Sequence, residues 1–293
     1  MTEDFAVQNT EPLALSKMDA ERIASLGDGE TMLDLPCQAV HVRAEGESLT
    51  VGGREVSRGE LMKAKRDNVM YTIRDGRLRG LQLFKDDFYK LVPTGGYPAL
   101  EINGIRMHRT KDILPEQEAS MKVDRLNLSP GDVVLDICTG LGYSCQEAAG
   151  RGTWVLTLER NWQVIELSKY NPCSTDMFRL AEKGEIGIVI ADAIRLVGAL
   201  PAGRFDAIMH DPPTFSVAGD LYSSGFYEQL RRIIAEDGVL LHYTGQPGSK
   251  YRRRDLAGGV SKRLRRAGFE VGREPEVRSL LARPRKIIDR GGV

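Results

Sequence analysis

Cysteine is scarce in this sequence, with four residues among 293, at positions 37, 138, 145 and 173. None forms a Cys-x-x-Cys pair, and none stands at zinc-ligand spacing from the four scattered histidines, which argues against a zinc ribbon, a dithiol redox motif and a disulfide-knit secreted scaffold. The four read as reduced thiols of a cytoplasmic protein, and no metal is expected. Net charge is also missing: 41 basic and 41 acidic residues cancel, so no whole-molecule field steers a polyanion and any nucleic-acid surface has to be local. No stretch approaches the roughly 20 consecutive apolar residues that cross a bilayer. The opening MTEDFAVQNTEPLALSKMDAER is acidic and without a long apolar run, so neither membrane insertion nor secretion is expected. Internal repeats and low-complexity tracts are absent.

What is there suits a globular chain: 41% hydrophobic and 28% charged residues can bury a full core as one large domain or two modest ones. From about Leu33 to Pro93 short alternating runs are punctuated by turns. In NVMYTIRDGRLRGLQLF, Asp75-Gly76 lies between two alternating segments, a two-residue hairpin signal because such turns need positive φ. Ser57 with Glu60 three residues later reads either as the cap of a short helix or as a chance pairing in a polar loop. PTGGYPALEINGIRMHRTKDILP then reads as a linker carrying one more strand and turn. The expected division is a β-rich N-terminal domain with linker over residues 1–115 and a second domain over 116–293.

In the second domain strand and helix patterns alternate. Strands are expected at DVVLDI (132–137), WVLTLE (154–159), IGIVIA (186–191), FDAIMH (205–210) and VLLHYT (239–244). Helices are expected at 143–150, 161–169, 174–183, 224–236 and 256–267. That alternation implies an α/β, Rossmann-like, doubly wound and mostly parallel sheet, and FEVGREPEVRSLLARP offers two further strands to close it as a hairpin.

Ligands of open α/β sheets sit beyond the carboxyl ends of the strands. After the first strand, Asp136 is followed by Gly140 and Gly142, which permit a sharp turn and close backbone approach. After the second stands Glu159, nineteen residues beyond Gly140, at the distance of an acid that accepts from ribose hydroxyls. Both features point to a nucleoside. A dinucleotide fingerprint wants a third glycine where this chain has Cys145, and the Asp136 carboxylate would repel a pyrophosphate while favouring a cation. S-adenosyl-L-methionine, with its sulfonium and ammonium, fits better than NAD(P).

The order Asp136-x-x-x-Gly140-x-Gly142, Glu159, Asp192 and Asp211-Pro212-Pro213 resembles the class I adenosylmethionine-dependent methyltransferases over roughly Met121 to Pro284. The resemblance implies that the loop from Asp136 through Thr139, Gly140 and Gly142 to Tyr143 holds the methionine moiety. It further implies that Glu159 holds the ribose and that Asp192 and the Ala193 amide hold the adenine, with Arg160 as a further cofactor contact. More specifically, the chain is similar to a set of uncharacterised archaeal predicted methyltransferases that share GIRMHR (104–109), LDICTGLGY (135–143), HDPPxF (210–215) and HYTGxPG (242–248). In amino-methylating members of the class, an acid-or-Asn-Pro-Pro-aromatic motif presents two oxygen acceptors to a substrate NH2. By that resemblance Asp211 and the Pro212 carbonyl orient the nitrogen, Asp211 is also a cofactor contact, Pro213 belongs to the same catalytic motif and Phe215 stacks on a planar group. Thr214, between the prolines and the aromatic, departs from the pattern.

DLYSSGFYEQLRRIIAEDGVLL (220–241) and LEINGIRM (100–107) resemble spermidine synthases, which keeps open an aminopropyltransferase using decarboxylated adenosylmethionine. That family's glycine loop carries an acid for its amine substrate, whereas Cys138-Thr139-Gly140-Leu141-Gly142 has none. A non-catalytic nucleoside- or RNA-binding module is the third reading. Cys138 and Cys145 read as small packing residues. His210 and His242 read as proton acceptors or as hydrogen-bonded structural residues, and Tyr143 and Tyr243 as pocket candidates. KYRRRDLAGGVSKRLRR, from Lys250 to Arg266, has eight basic residues against the single acid Asp255. It serves either as an RNA contact or as a solvated helix face, and TGQPGSK (244–250) either as a lid or as a plain loop. The acceptor is not identified by sequence. The N-terminal domain serves substrate choice or a homodimer contact.

Overall fold

The structure is a computed structural model that describes residues 11–215, 218–245 and 255–286. Its chain divides into two compact units, Met1–Pro115 with Glu166–Thr175, and Glu116–Ile165 with Asp176–Val293.

The first unit carries helix α1 (Lys17–Ala24), strands β1 (Gly29–Leu35), β2 (Gln38–Glu45), β3 (Ser48–Val51) and β4 (Arg54–Ser57), and the short helix α2 (Arg58–Leu61). It continues with β5 (Tyr71–Arg74), β6 (Arg77–Gly80), β7 (Gln82–Phe84), β8 (Phe88–Val92), β9 (Ala99–Ile102) and β10 (Ile105–Arg106). Strands β1 to β4 form one antiparallel meander, β7 to β10 a second, and β5 with β6 a separate hairpin. The alternation in β2 has a direct reading: Val40, Val42 and Ala44 are buried while His41, Arg43 and Glu45 are exposed, as a half-buried strand requires. Asp75 and Gly76 stand at φ 51° and 69°, the left-handed pair of a tight hairpin turn. Ser57 does cap α2, accepting from the Glu60 N–H at 3.1 Å. The reciprocal half goes elsewhere, because Glu60 Oε1 accepts from Leu78 N at 3.2 Å.

One expectation is corrected in this unit. Cys37 and Cys173 are joined in a disulfide across 136 residues, so only Cys138 and Cys145 are free thiols. Cys37 occupies the left-handed region at φ 66° in the β1–β2 turn, and Cys173 arrives with the Glu166–Thr175 segment. Two residues so far apart carry no spacing signature. The cytoplasmic assignment loses the support that four reduced thiols would have given it.

From residue 115 onward the chain forms α3 (Pro115–Asp124), β11 (Val133–Ile137), α4 (Tyr143–Ala149), β12 (Trp154–Glu159), α5 (Trp162–Ser168, which ends in the first unit's segment), α6 (Thr175–Glu182), β13 (Ile186–Ile190), α7 (Ala193–Ala199) and β14 (Phe205–His210). After these come α8 (Ser224–Ile233), β15 (Ile234–Tyr243), α9 (Leu256–Arg266), β16 (Phe269–Glu274) and β17 (Ser279–Pro284). The sheet order is β13-β12-β11-β14-β15-β17-β16. The first five strands are parallel and β17 runs antiparallel to both its neighbours. The α/β doubly wound sheet and its C-terminal hairpin are thus as expected. Strand β15 starts earlier than the pattern suggested, at a register irregularity opposite Phe205 and Ala207, and α8 ends correspondingly sooner.

Alternate residues of β11 serve opposite faces. Val133, Leu135 and Ile137 pack with Phe205, Ile208, Tyr227 and Leu230, whereas Val134 packs with Cys145, Val155, Met177 and Leu241. Helix α9 buries Val260 and Leu264 and exposes Lys262, Arg265 and Arg266. Residues 246–254, and with them most of TGQPGSK and the YRRR run, lie outside the described residues. Among the described residues no helix is long and apolar enough to cross a membrane, and no cluster of three or more His, Cys, Asp or Glu suits a metal.

Candidate active site

The strand order reverses between β11 and β14, the position at which an open α/β sheet offers a crevice beyond its carboxyl edge. Strand β11 ends there at Ile137, and Cys138 turns the chain at φ 76°. The Cys138 and Thr139 amides both donate to Leu158 O, at 2.9 and 3.0 Å, and Gly142 N donates to Thr139 O at 2.9 Å. Gly140 (φ 55°) and Gly142 (φ 82°) adopt conformations that favour glycine. Their surroundings differ. A Cβ on Gly140 would meet nothing within 4 Å, whereas one on Gly142 would lie 2.4 Å from Met177 Sδ. Gly140 therefore presents open backbone to whatever binds, and Gly142 lets α4 pack on α6. Cys145, at the dinucleotide glycine's position, is fully buried and donates its thiol to Gly142 O at 3.2 Å.

Asp136 is 1% exposed. Its Oδ1 accepts from Ser144 Oγ at 3.0 Å and its Oδ2 from Thr157 Oγ1 at 2.6 Å. Since a hydroxyl has one proton, Thr157 spends it on Asp136, and Thr139 Oγ1, 2.6 Å from Thr157 Oγ1, is the donor in that pair. A relay thus runs from Thr139 through Thr157 to the carboxylate. Burial pushes the Asp136 carboxyl up to about 6, while the two hydroxyls pull the other way. Ser144 and Thr157 escaped the sequence reading. For Thr157 the signal was its place in register with Asp136 across β11 and β12.

Glu159 ends β12. Its Oε2 accepts from Gly140 N at 3.1 Å and its Oε1 from Asn161 N at 2.9 Å, so one carboxylate fastens two loops together. Burial raises its pKa, opposed by backbone hydrogen bonds from Asn161 and Gly140. Asp192 caps α7, accepting from Ile194 N at 2.9 Å through Oδ1, and its Oδ2 lies 4.0 Å from Arg160 Nε. The Arg160 side chain is otherwise solvent-facing. Ala193, the first residue of α7, has an N–H without an intrahelical acceptor. Tyr143 is buried at the start of α4.

Asp211 follows β14. Lys122, buried on α3, donates to Asp211 Oδ2 at 2.6 Å, stands 3.4 Å from Glu118 Oε1 and lies 4.2 Å from the centre of the Tyr243 ring. Burial alone would lower the Lys122 pKa, but Asp211 and Glu118 more than offset it and hold it raised. The Asp211 side chain remains 30% exposed. Tyr222 donates to Pro213 O at 2.8 Å, which fixes the second proline. Phe215 is 46% exposed and stacks edge-on to Tyr222 at 5.5 Å. Lys122 and Tyr222 were both missed from sequence.

No protein-family model matches the chain. An uncharacterised protein of Methanocaldococcus jannaschii is 45% identical over 206 residues, 70% of each chain. The chain belongs to that archaeal family. Its fold is also found in a spermidine synthase solved with the transition-state analogue AdoDATO, which superposes with a TM-score of 0.56 at 20% identity, covering 71% of this chain and 73% of that one. A protein-L-isoaspartate O-methyltransferase of Methylorubrum populi is 29% identical over 132 residues, 45% of this chain and 53% of its own.

In this family member the histidines next to the site differ in kind. His242 Nδ1 donates to Tyr243 O at 2.9 Å, which leaves Nε2 to accept from Tyr227 Oη at 2.8 Å. Burial pulls it down to about 4. His210 is wholly buried, 4.2 Å from the His242 ring, with neither ring nitrogen hydrogen-bonded. Burial lowers its pKa well below the usual value, so both imidazoles are neutral. His242 is thus held by two hydrogen bonds, and His210 is enclosed beside Phe226 and Tyr222.

Proposed function

We propose that this chain is an S-adenosyl-L-methionine-dependent methyltransferase that methylates a nitrogen of its acceptor. The observation that carries the reading is the Glu159 carboxylate fastened to the Gly140 amide: it places an acid with remaining lone pairs directly beside open, Cβ-free backbone, as a ribose and its flanking chain require. Asp136, buried beneath that loop with its two hydroxyl donors, favours a cation and disfavours a pyrophosphate. Thr139, Gly140, Gly142 and Glu159 would hold the cofactor, with Asp192, the Ala193 amide and Arg160 at its adenine end. Bound there, it supplies a sulfonium-activated methyl group and leaves as adenosylhomocysteine.

Asp211 accepts an acceptor N–H and turns the lone pair to the methyl, with the Pro212 carbonyl as second acceptor and the exposed Phe215 ring as a stacking surface. Positioning of this kind supplies much of the acceleration. Aminopropyl transfer is less well supported, because the glycine loop has no acid for an amine and one Asp211 oxygen is already engaged by Lys122. The acceptor is RNA, a protein side chain or a small amine. For RNA, the exposed Lys262, Arg265 and Arg266 offer local positive charge.

Calorimetric titration with adenosylmethionine and with its decarboxylated form tests the reading. Tighter binding of the intact cofactor is expected, and tighter binding of the decarboxylated form would replace the methyltransferase with a polyamine enzyme. The same titration has a pH signature. Below about pH 6 the ligand-free site holds Asp136 neutral, and a cationic ligand favours its ionised form. Binding then expels a proton and weakens as pH falls, by up to about tenfold per unit below 6, with a plateau above about 7. A dissociation constant flat from about pH 8 to pH 5 would remove Asp136 from cofactor binding.

A further inference from the structure

Lys122 lies outside every motif that points to the site, yet it makes the closest side-chain contact to Asp211. It is contributed by α3, which precedes the sheet, and its ammonium is enclosed: 5% exposed, 2.6 Å from Asp211 Oδ2, 3.4 Å from Glu118 Oε1 and 4.2 Å from the Tyr243 ring centre. A charge buried this deeply is retained only where its partners are fixed. Glu118, four residues earlier on the same helix and itself 4% exposed, anchors the ammonium from behind. The Tyr243 ring flanks it, and Asp211 is the partner in front. One carboxylate oxygen is thus committed to Lys122, and the side chain keeps its exposure through the other.

We propose that Lys122 is a positioning residue for the acceptor site: it locks Asp211 in one orientation, engages one of its oxygens in an ion pair, and leaves Oδ1 as a single acceptor for the N–H of a neutral amino or amide nitrogen. The inference rests on the methyl-transfer reading and extends it to the acceptor's chemistry. A free alkyl ammonium needs an unmatched negative charge to be drawn in and a base to take its proton before it can attack. A carboxylate tied to a buried ammonium supplies neither well. A nitrogen conjugated to a ring or a carbonyl is already neutral and needs only to be oriented; it attacks the methyl carbon as the carbon–sulfur bond breaks, and the methylated nitrogen, now cationic and strongly acidic, then releases its proton to solvent past the partly exposed Asp211.

The test is a double-mutant cycle between Lys122 and Asp211 with labelled adenosylmethionine, using total cellular RNA, a protein extract and spermidine as acceptor probes. Lys122→Met strands the buried Glu118 carboxylate and can lower folding yield, so Glu118→Gln/Lys122→Met is made beside it, and Lys122→Arg serves as the conservative variant. Adenosylmethionine affinity should stay within about twofold in all of them, while the single-turnover rate to RNA or protein falls about tenfold or more and recovers partly in Lys122→Arg. In an Asp211→Asn background the same Lys122 change should cost nothing or raise the rate, because the one amide oxygen is then freed from Lys122 for the acceptor. Equal fold losses in both backgrounds, or an unchanged rate in Lys122→Met, would overturn the proposal. So would spermidine as the preferred acceptor. Should no probe be methylated although cofactor binds, the methyl-transfer reading fails. The positioning role is then read separately from crystal structures of the wild type and of Glu118→Gln/Lys122→Met: a rotated Asp211 is expected, and an identical Asp211 rotamer in both refutes the lock.

Discussion

Replacing Asp211 with alanine should lower the single-turnover rate of methyl transfer by about a hundredfold to a thousandfold, the usual cost of deleting one preorganised polar group at a reacting centre. Cofactor affinity should change by less than about twofold. The separation follows from where the side chain sits. Asp211 follows β14 and touches Lys122 from α3, whereas the cofactor loop is built on β11 and β12 and held by Glu159. Removing the carboxylate leaves Lys122 buried but still paired with Glu118 at 3.4 Å, so the fold is retained at a modest cost. Equilibrium binding and rapid-quench transfer measured on one preparation check both halves. A parallel fall in affinity and rate would mean that Asp211 holds the cofactor. An unchanged rate would leave the Asp-Pro-Pro segment as a turn, fixed by the bond from Tyr222 to Pro213.

The parts of the site that were legible in the sequence are those whose chemistry is local. Gly140 and Gly142 are glycine because the backbone there has positive φ, and a strand-terminal acid followed by such a turn leaves a contiguous signature. Glu159 was legible for the same reason, although its two backbone donors were not. Lys122 was hidden because α3 carries few apolar residues and no single apolar face, so it merged with the linker before it. Its one signal was Pro115 at the first helical position. Helix α7 was also missed, being only seven residues long, although two parallel strands in one sheet demand a crossover and Asp192 is a good N-cap. The Cys37–Cys173 disulfide and the Lys122–Asp211 pair share one trait: both join residues distant in sequence, and only tertiary structure brings them together. The fold class needed only periodicity and was read in full.

Glu159 should be the most sensitive position for binding. In Glu159→Ala the adenosylmethionine dissociation constant should rise about a hundredfold, the equivalent of two charge-assisted hydrogen bonds at about 1.5 kcal/mol each. The informative comparison is Glu159→Gln. Both carboxylate oxygens accept backbone N–H groups, Oε2 from Gly140 and Oε1 from Asn161. A glutamine has one oxygen to offer, so its NH2 must face one of those donors with no acceptor between them. Whichever loop loses its anchor shifts, and the isosteric variant should bind almost as poorly as alanine. If Glu159 acted only as a ribose acceptor, glutamine would keep an oxygen for one hydroxyl and recover much of the affinity. Binding by Glu159→Gln within about fivefold of wild type would therefore separate the two roles, showing that the Gly140 loop holds its shape without Glu159.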